Sequence, residues 1–224
     1  MATSKILRTT FLHALKAGLI DIKLDTVRQS VSRDRIKFTL RQGVTGQIYI
    51  ILIRADGHPG GFDVYSGLIL EGGPIATLLR QLGTPRKPGF GPDVILNGTS
   101  YALIPGRVNA YTVRATDEPT LAASIVLDDI RTFLIPLIAG FSGDWATALD
   151  FALRTPEQSP HPYAACTPSP FAGALVLAAL ANRPDRIPEI AATAQSKWFN
   201  DATAVGNPVA FFQRAQTLIQ ALHE

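Results

Sequence analysis

RIKFTLRQGVTGQIYIILIRADGHPGGFDVYSGLIL, residues 35–70, decides the architecture. Ile36, Phe38 and Leu40 alternate with Lys37, Thr39 and Arg41, which predicts a strand with one wet face. GVTG (43–46) turns the chain. QIYIILIRA (47–55) is apolar at both parities and predicts a central strand covered on both sides. DGHPGG (56–61) turns it again. In FDVYSGLIL (62–70), Phe62, Val64, Leu68 and Leu70 alternate with Asp63, Tyr65 and Ile69. Connections this short and glycine-containing favour antiparallel hairpins over crossovers.

Working outward, residues 4–17 read as a helix, with Leu7, Phe11 and Leu15 on one stripe, Leu12 beside them, Ser4 as cap and Gly18 as stop. A short helix is expected over 74–82, with Pro74 in its first turn. Asn97-Gly98, inside DVILNGTSYALI (93–104), is a hairpin signal, and residues 108–115 complete a second small meander. From Thr116 the period is helical. The helix predicted over 117–139 buries Leu121, Ile125, Val126, Ile130, Phe133, Leu134 and Leu137, and Pro136 kinks it or ends it early. Another helix starts at Ser142 or Asp144, and the five-proline stretch 154–170 reads as a loop. Ser169-Pro170, Ile187-Pro188 and Asn207-Pro208 open three further helices. The last carries Phe211, Phe212, Ala215, Leu218, Ile219 and Leu222. Strands first and helices after imply an α+β fold: an antiparallel sheet of five to six strands with an N-terminal helix and a C-terminal group of helices packed on it. We expect one domain over 1–224, with a helix and sheet layer over 1–115 and a helical layer over 116–224.

Composition bounds the function. A hydrophobic fraction of 46% with 17% charged residues is too apolar for a disordered chain. The single cysteine, Cys166, excludes an intrachain disulfide framework and a multi-cysteine metal site. The N-terminus does not read as a signal peptide, and the apolar runs 133–141 and 171–181 are too short to span a bilayer. A cytoplasmic protein without membrane contact is the expectation. Residues 1–42 hold nine Lys or Arg against three Asp, whereas 43–224 hold twelve against fifteen Asp or Glu. That basic first fifth, with Arg33, Arg35, Lys37 and Arg41, is where nucleic acid would bind if it binds at all. A solvated helix face and strand face explain the same charges.

The chain lacks GxxxxGK[ST], GxGxxG after a strand, HExxH and GxSxG. Its four histidines, at 13, 58, 161 and 223, are far apart, so no metal or cofactor is assigned. His161 precedes Cys166 by five residues in a loop, a separation that does not impose a catalytic dyad. Asp128 and Asp129 point about 100° apart on a helix and so form no carboxylate dyad, and Asp128 with Arg131 or Thr132 reads as a solvated face. Asp56, His58 and Asp63 surround a turn that Gly and Pro already explain, and are the cluster from which a dispersed catalytic site could assemble. GTPRKPGFGPD (83–93) is different: six of its eleven residues are Gly or Pro, and Phe90 sits between glycines near Arg86 and Lys87. Phe90 either plugs the protein's own sheet or anchors a partner, with Arg86 and Lys87 as a charged rim.

The stretches RIKFTLRQGVTGQIYIILIRADGHPGGFDVYSGLILEG and YTVRATDEPTLAASIVLDDIRTFLIPLIAGF together resemble a bacterial family of unknown function, with a leading helix, three strands and a late helix ending near a proline. The resemblance implies a bacterial α+β domain with an interaction role of immunity or adaptor type, and it carries over no catalytic residues. We read the chain as a non-enzymatic interaction protein whose partner is another protein, a toxin or a complex subunit. The alternatives are a nucleic-acid-binding module using the basic N-terminal region and an enzyme with dispersed catalytic residues.

Overall fold

The alternation of residues 62–70 becomes a buried row: Phe62, Val64, Leu68 and Leu70 face inward while Asp63, Tyr65 and Ile69 stay partly exposed. The structure, a computed structural model, describes residues 4–21, 26–31, 35–42, 44–54, 60–84, 93–107, 110–114, 116–154, 169–197 and 205–222. Antiparallel pairing follows chain order through β1 (Thr26–Val31), β2 (Arg35–Gln42), β3 (Val44–Arg54), β4 (Phe62–Glu71) and β5 (Val94–Thr99). The last strand, β6 (Tyr111–Val113), also pairs with β4. The helices are α1 (Ser4–Asp21), α2 (Gly73–Gln81), α3 (Ser100–Leu103), α4 (Pro119–Asp129), α5 (Ile135–Phe141), α6 (Trp145–Ala152), α7 (Pro170–Leu180), α8 (Ile187–Lys197) and α9 (Pro208–Ala221). The fold is α+β.

Four local expectations are corrected. Asn97-Gly98 is not a turn: Asn97 pairs with Ile69 and Gly98 with Leu68, and the chain turns only after Thr99, through α3. The expected second meander is absent, because β5 and β6 both line up on β4. The two faces of β3 are unequally buried. Val44, Ile48, Ile50 and Leu52 are buried, but Tyr49 and Ile51 are partly exposed and Ile53 is 50% exposed. Gly18 does not stop α1, which runs on to Asp21. Any side chain there would collide with Leu127 of α4, so Gly18 is a site of close helix approach.

Pro136 does not end the helix, which runs on to Phe141, but a change of helix type precedes it. Residues 130–134 form a π turn between α4 and α5, immediately before the proline whose missing N–H interrupts α-helical bonding. The buried stripe runs through Ala122, Val126, Ile130, Leu134 and Ile138. Leu121 and Phe133, expected inside, are 58% and 38% exposed.

The buried sheet face meets the helices through particular residues. Phe11 of α1 meets Phe62 edge-on, with ring centroids 5.6 Å apart. Ile138 of α5 lies over Gly46, where a Cβ would stand 2.9 Å from its Cδ1. α7 is apolar all round and every residue from Pro170 to Ala179 is buried, because α2, α6, α8 and α9 pack about it. Three expected caps form: Asp144 accepts from the backbone N–H of Thr147, Ser169 from Ala172, and Asn207 from Val209 and Ala210. At the chain's end Leu222, expected on the apolar stripe, is exposed. Among the described residues no helix is long and apolar enough to cross a membrane.

Candidate functional site

β5 takes β4 from Gly67 to Glu71, and β6 takes it from Phe62 to Val64. Tyr65 and Ser66 fall between these pairings, and a cavity of about 240 Å³ opens beside Ser66. Ser66 occupies the inward parity of an otherwise apolar strand. Its Oγ lies 2.5 Å from Oγ of Ser100, and both residues are buried. A buried hydroxyl needs such a partner.

Across the cavity stands Asp129, the last residue of α4, only 5% exposed. Its Oδ1 accepts a hydrogen bond of 2.9 Å from Nε of Arg107 and a second from Nη2. Gly106, with a φ of 75°, makes the turn that delivers Arg107. Tyr101, Tyr111 and Ile125 complete the walls. Asp128, Arg131 and Thr132 are exposed, as a solvated face requires, and Asp129, about 100° round the helix from Asp128, turns inward instead. It lies on the buried stripe three residues after Val126.

Burial pushes the Asp129 carboxyl above its ordinary range, while the Arg107 hydrogen bond and charge pull against that and Asp128 adds to it. A raised carboxyl favours the folded state below its unfolded value, and that contribution is lost as pH rises through the folded value. Arg107→Ala leaves the charge buried and unpaired. Breaking a buried pair costs about 3–5 kcal/mol, which we discount to about 2 kcal/mol because the Arg107 side chain is 37% exposed. We expect that loss in urea unfolding at neutral pH, a smaller loss in mild acid, and partial recovery in Arg107→Ala/Asp129→Asn. Equal losses at both pH values would show that charge is not the cause.

A second feature is the outward face of the sheet. Tyr49, Ile51 and Ile53 of β3 and Tyr65 and Ile69 of β4 share it, and none of their side chains is buried. Tyr49 lies across Gly67, where a Cβ would meet its ring and hydroxyl. Burial and then the neighbouring Tyr101 push the Tyr49 hydroxyl up, so it is a neutral donor at physiological pH. Lys37 lies in register with Tyr49, and Arg35 with Ile51. The acids on this face are on β4: Asp63 accepts from Thr112 at 2.7 Å, and Glu71 from Gln47 at 3.4 Å.

Of the basic residues anticipated for nucleic acid, Arg35 and Lys37 thus share the open face. Arg33 and the side chain of Arg41 lie outside the described residues, as do Arg86, Lys87 and Phe90. On either side of those three, the Thr84 N–H bonds to the Leu79 carbonyl, and the Asp93 carbonyl accepts from Gly72 while its carboxylate pairs with Arg80. Asp56, His58, His161 and Cys166 are also outside the described residues. Asp63 is described and bonds to Thr112. Among the described residues no three His, Cys, Asp or Glu side chains gather as a metal site. No family model matches the chain, and no curated protein or solved structure matches it either.

Proposed function

We propose that the protein is a non-enzymatic interaction protein that docks an acidic-faced partner protein on the open face of its sheet. One observation carries this reading: Tyr49, Ile51, Ile53, Tyr65 and Ile69 share the outward parity of β3 and β4, where Ile53 is 50% exposed and the other four are partly exposed. Contiguous apolar surface of this kind marks interaction sites on soluble proteins. The cation Lys37 flanks it along β2 and complements acidic side chains on the partner's rim. Phe90, with Arg86 and Lys87, is a second contact in the same reading, and a toxin or complex subunit is the kind of partner meant.

The placement of Lys37 beside Tyr49 also supports nucleic acid, since a cation for phosphate and a ring for base stacking suit a single strand. Salt separates the two. A nucleic-acid complex with six to ten phosphate contacts loses about 10³–10⁵ in affinity between about 50 and 200 mM salt, and an apolar-centred protein interface does not.

The test uses the intact protein as bait. Ile51→Glu and Phe90→Ala are expected to weaken one native partner about thirtyfold, the effect of losing a contact worth about 2 kcal/mol. Leu121→Glu, at an exposed site elsewhere, is the control. The complex is then rebuilt from purified components and its salt dependence measured. Binding that survives Ile51→Glu would overturn the reading, and steep salt-sensitive binding to DNA or RNA would replace it with the second.

A further inference from the structure

The cavity beside Ser66 is more polar than packing requires. At about 240 Å³ it is far larger than the space one water needs. A carboxylate and a guanidinium held at its wall carry a desolvation cost that an apolar lining would not. Two hydrogen-bonding capacities there remain open. Arg107 engages only Oδ1 of Asp129, and Oδ2 receives no hydrogen bond from the described residues. The Ser66–Ser100 pair shares one hydroxyl proton internally, which leaves the other to donate outward. Val64, Ile125, Val126 and the two tyrosines, Tyr101 and Tyr111, supply apolar and aromatic wall.

We infer that this cavity binds a small net-neutral carboxamide, primary or cyclic, whose N–H donates to Oδ2 of Asp129 and whose carbonyl accepts from Arg107 and from the outward hydroxyl of the serine pair. Charge balance selects neutrality. Asp129 and Arg107 already cancel, so a bound cation or anion would leave one uncompensated charge beside a buried carboxylate in a partly desolvated site. Asp129 and Arg107, joined through Oδ1, put an acceptor beside a donor, which matches the adjacent donor and acceptor of an amide. The apolar wall favours a body with a hydrophobic face over a polyol, which would need more polar partners than the cavity offers.

Benzamide, benzoate and benzylamine have the same ring and differ in charge, so they test each part of this inference. Each is titrated into the isotopically labelled intact protein while backbone amide resonances are followed. Benzamide is expected to shift Ser66, Ser100, Arg107 and Asp129 saturably, with benzoate and benzylamine at least about tenfold weaker. Asp129→Leu should abolish the shifts. If that variant fails to fold, Ser66→Ala, which removes only a hydroxyl, should weaken benzamide several-fold with the fold intact. Equal or tighter binding of either charged probe, no saturable shift with any of the three, or no effect of Ser66→Ala would overturn the inference. Because the open sheet face is a separate surface, none of these outcomes bears on the docking reading.

Discussion

Phe62→Ala is expected to cost about 3–5 kcal/mol, the range for emptying a fully buried aromatic site. Phe62 is wholly buried at the start of β4, in register with Arg54 of β3 on one side and Val113 of β6 on the other. Its ring takes the edge of Phe11 at 5.6 Å, and the Arg8 guanidinium lies 5.7 Å from its centroid. Removing the ring therefore leaves a cavity where α1 is fastened to the sheet. Urea unfolding should show a lower midpoint with unchanged slope, and amide exchange should rise first in α1. Phe133→Ala supplies the comparison, because that ring, within the π turn, is 38% exposed; its cost should stay under about 1 kcal/mol. Similar losses at the two positions would mean that burial does not rank these sites as the structure does.

How far the sequence could be read depended on whether polar residues marked the faces. In β4 they did, and the buried row was legible. In β3 both parities are apolar, and apolarity alone does not distinguish a second covered face from a face left open; Ile53 shows which holds. Asn97-Gly98 carried the local chemistry of a turn, but pairing with β4 from Gly67 to Glu71 held those residues in a strand. Gly18 carried the chemistry of a helix stop, yet the approach of α4 set its role.

The site was less legible than the fold. Ser66 did leave a signal, a hydroxyl at the buried parity between Val64 and Leu68. Arg107 and Asp129 are 22 residues apart and meet only through the turn at Gly106 and the path of α4. Nothing local in either segment announces the pair. Asp129 could have been suspected only from its position on the helical stripe after Val126, which the neighbouring Asp128 obscured.

Residues 116–224 expressed alone are not expected to fold as a cooperative monomer. The helical half begins with a face made for the other half. Leu127 of α4 sits where Gly18 of α1 leaves room, and Ile138 of α5 covers Gly46 of β3. Further on, α7 packs against α2 as well as against α6, α8 and α9. One apolar cluster includes Leu7, Phe11, Ile48 and Phe62 from the first half with Val126, Ile138, Leu175 and Phe212 from the second. Cutting the chain after residue 115 would expose the stripe of Ala122, Val126, Ile130, Leu134 and Ile138, and would open one side of α7. A chain half this size has little core to spare, since a small domain already buries a lower share of its surface. The fragment should aggregate or keep helical circular dichroism without a sigmoidal melt, and mixing it with residues 1–115 should restore a cooperative transition. A soluble, monomeric fragment with its own sharp melt would instead make the helices a separate domain. The burial seen at Gly18 and Gly46 would then be the surface of an interface between two independently stable units.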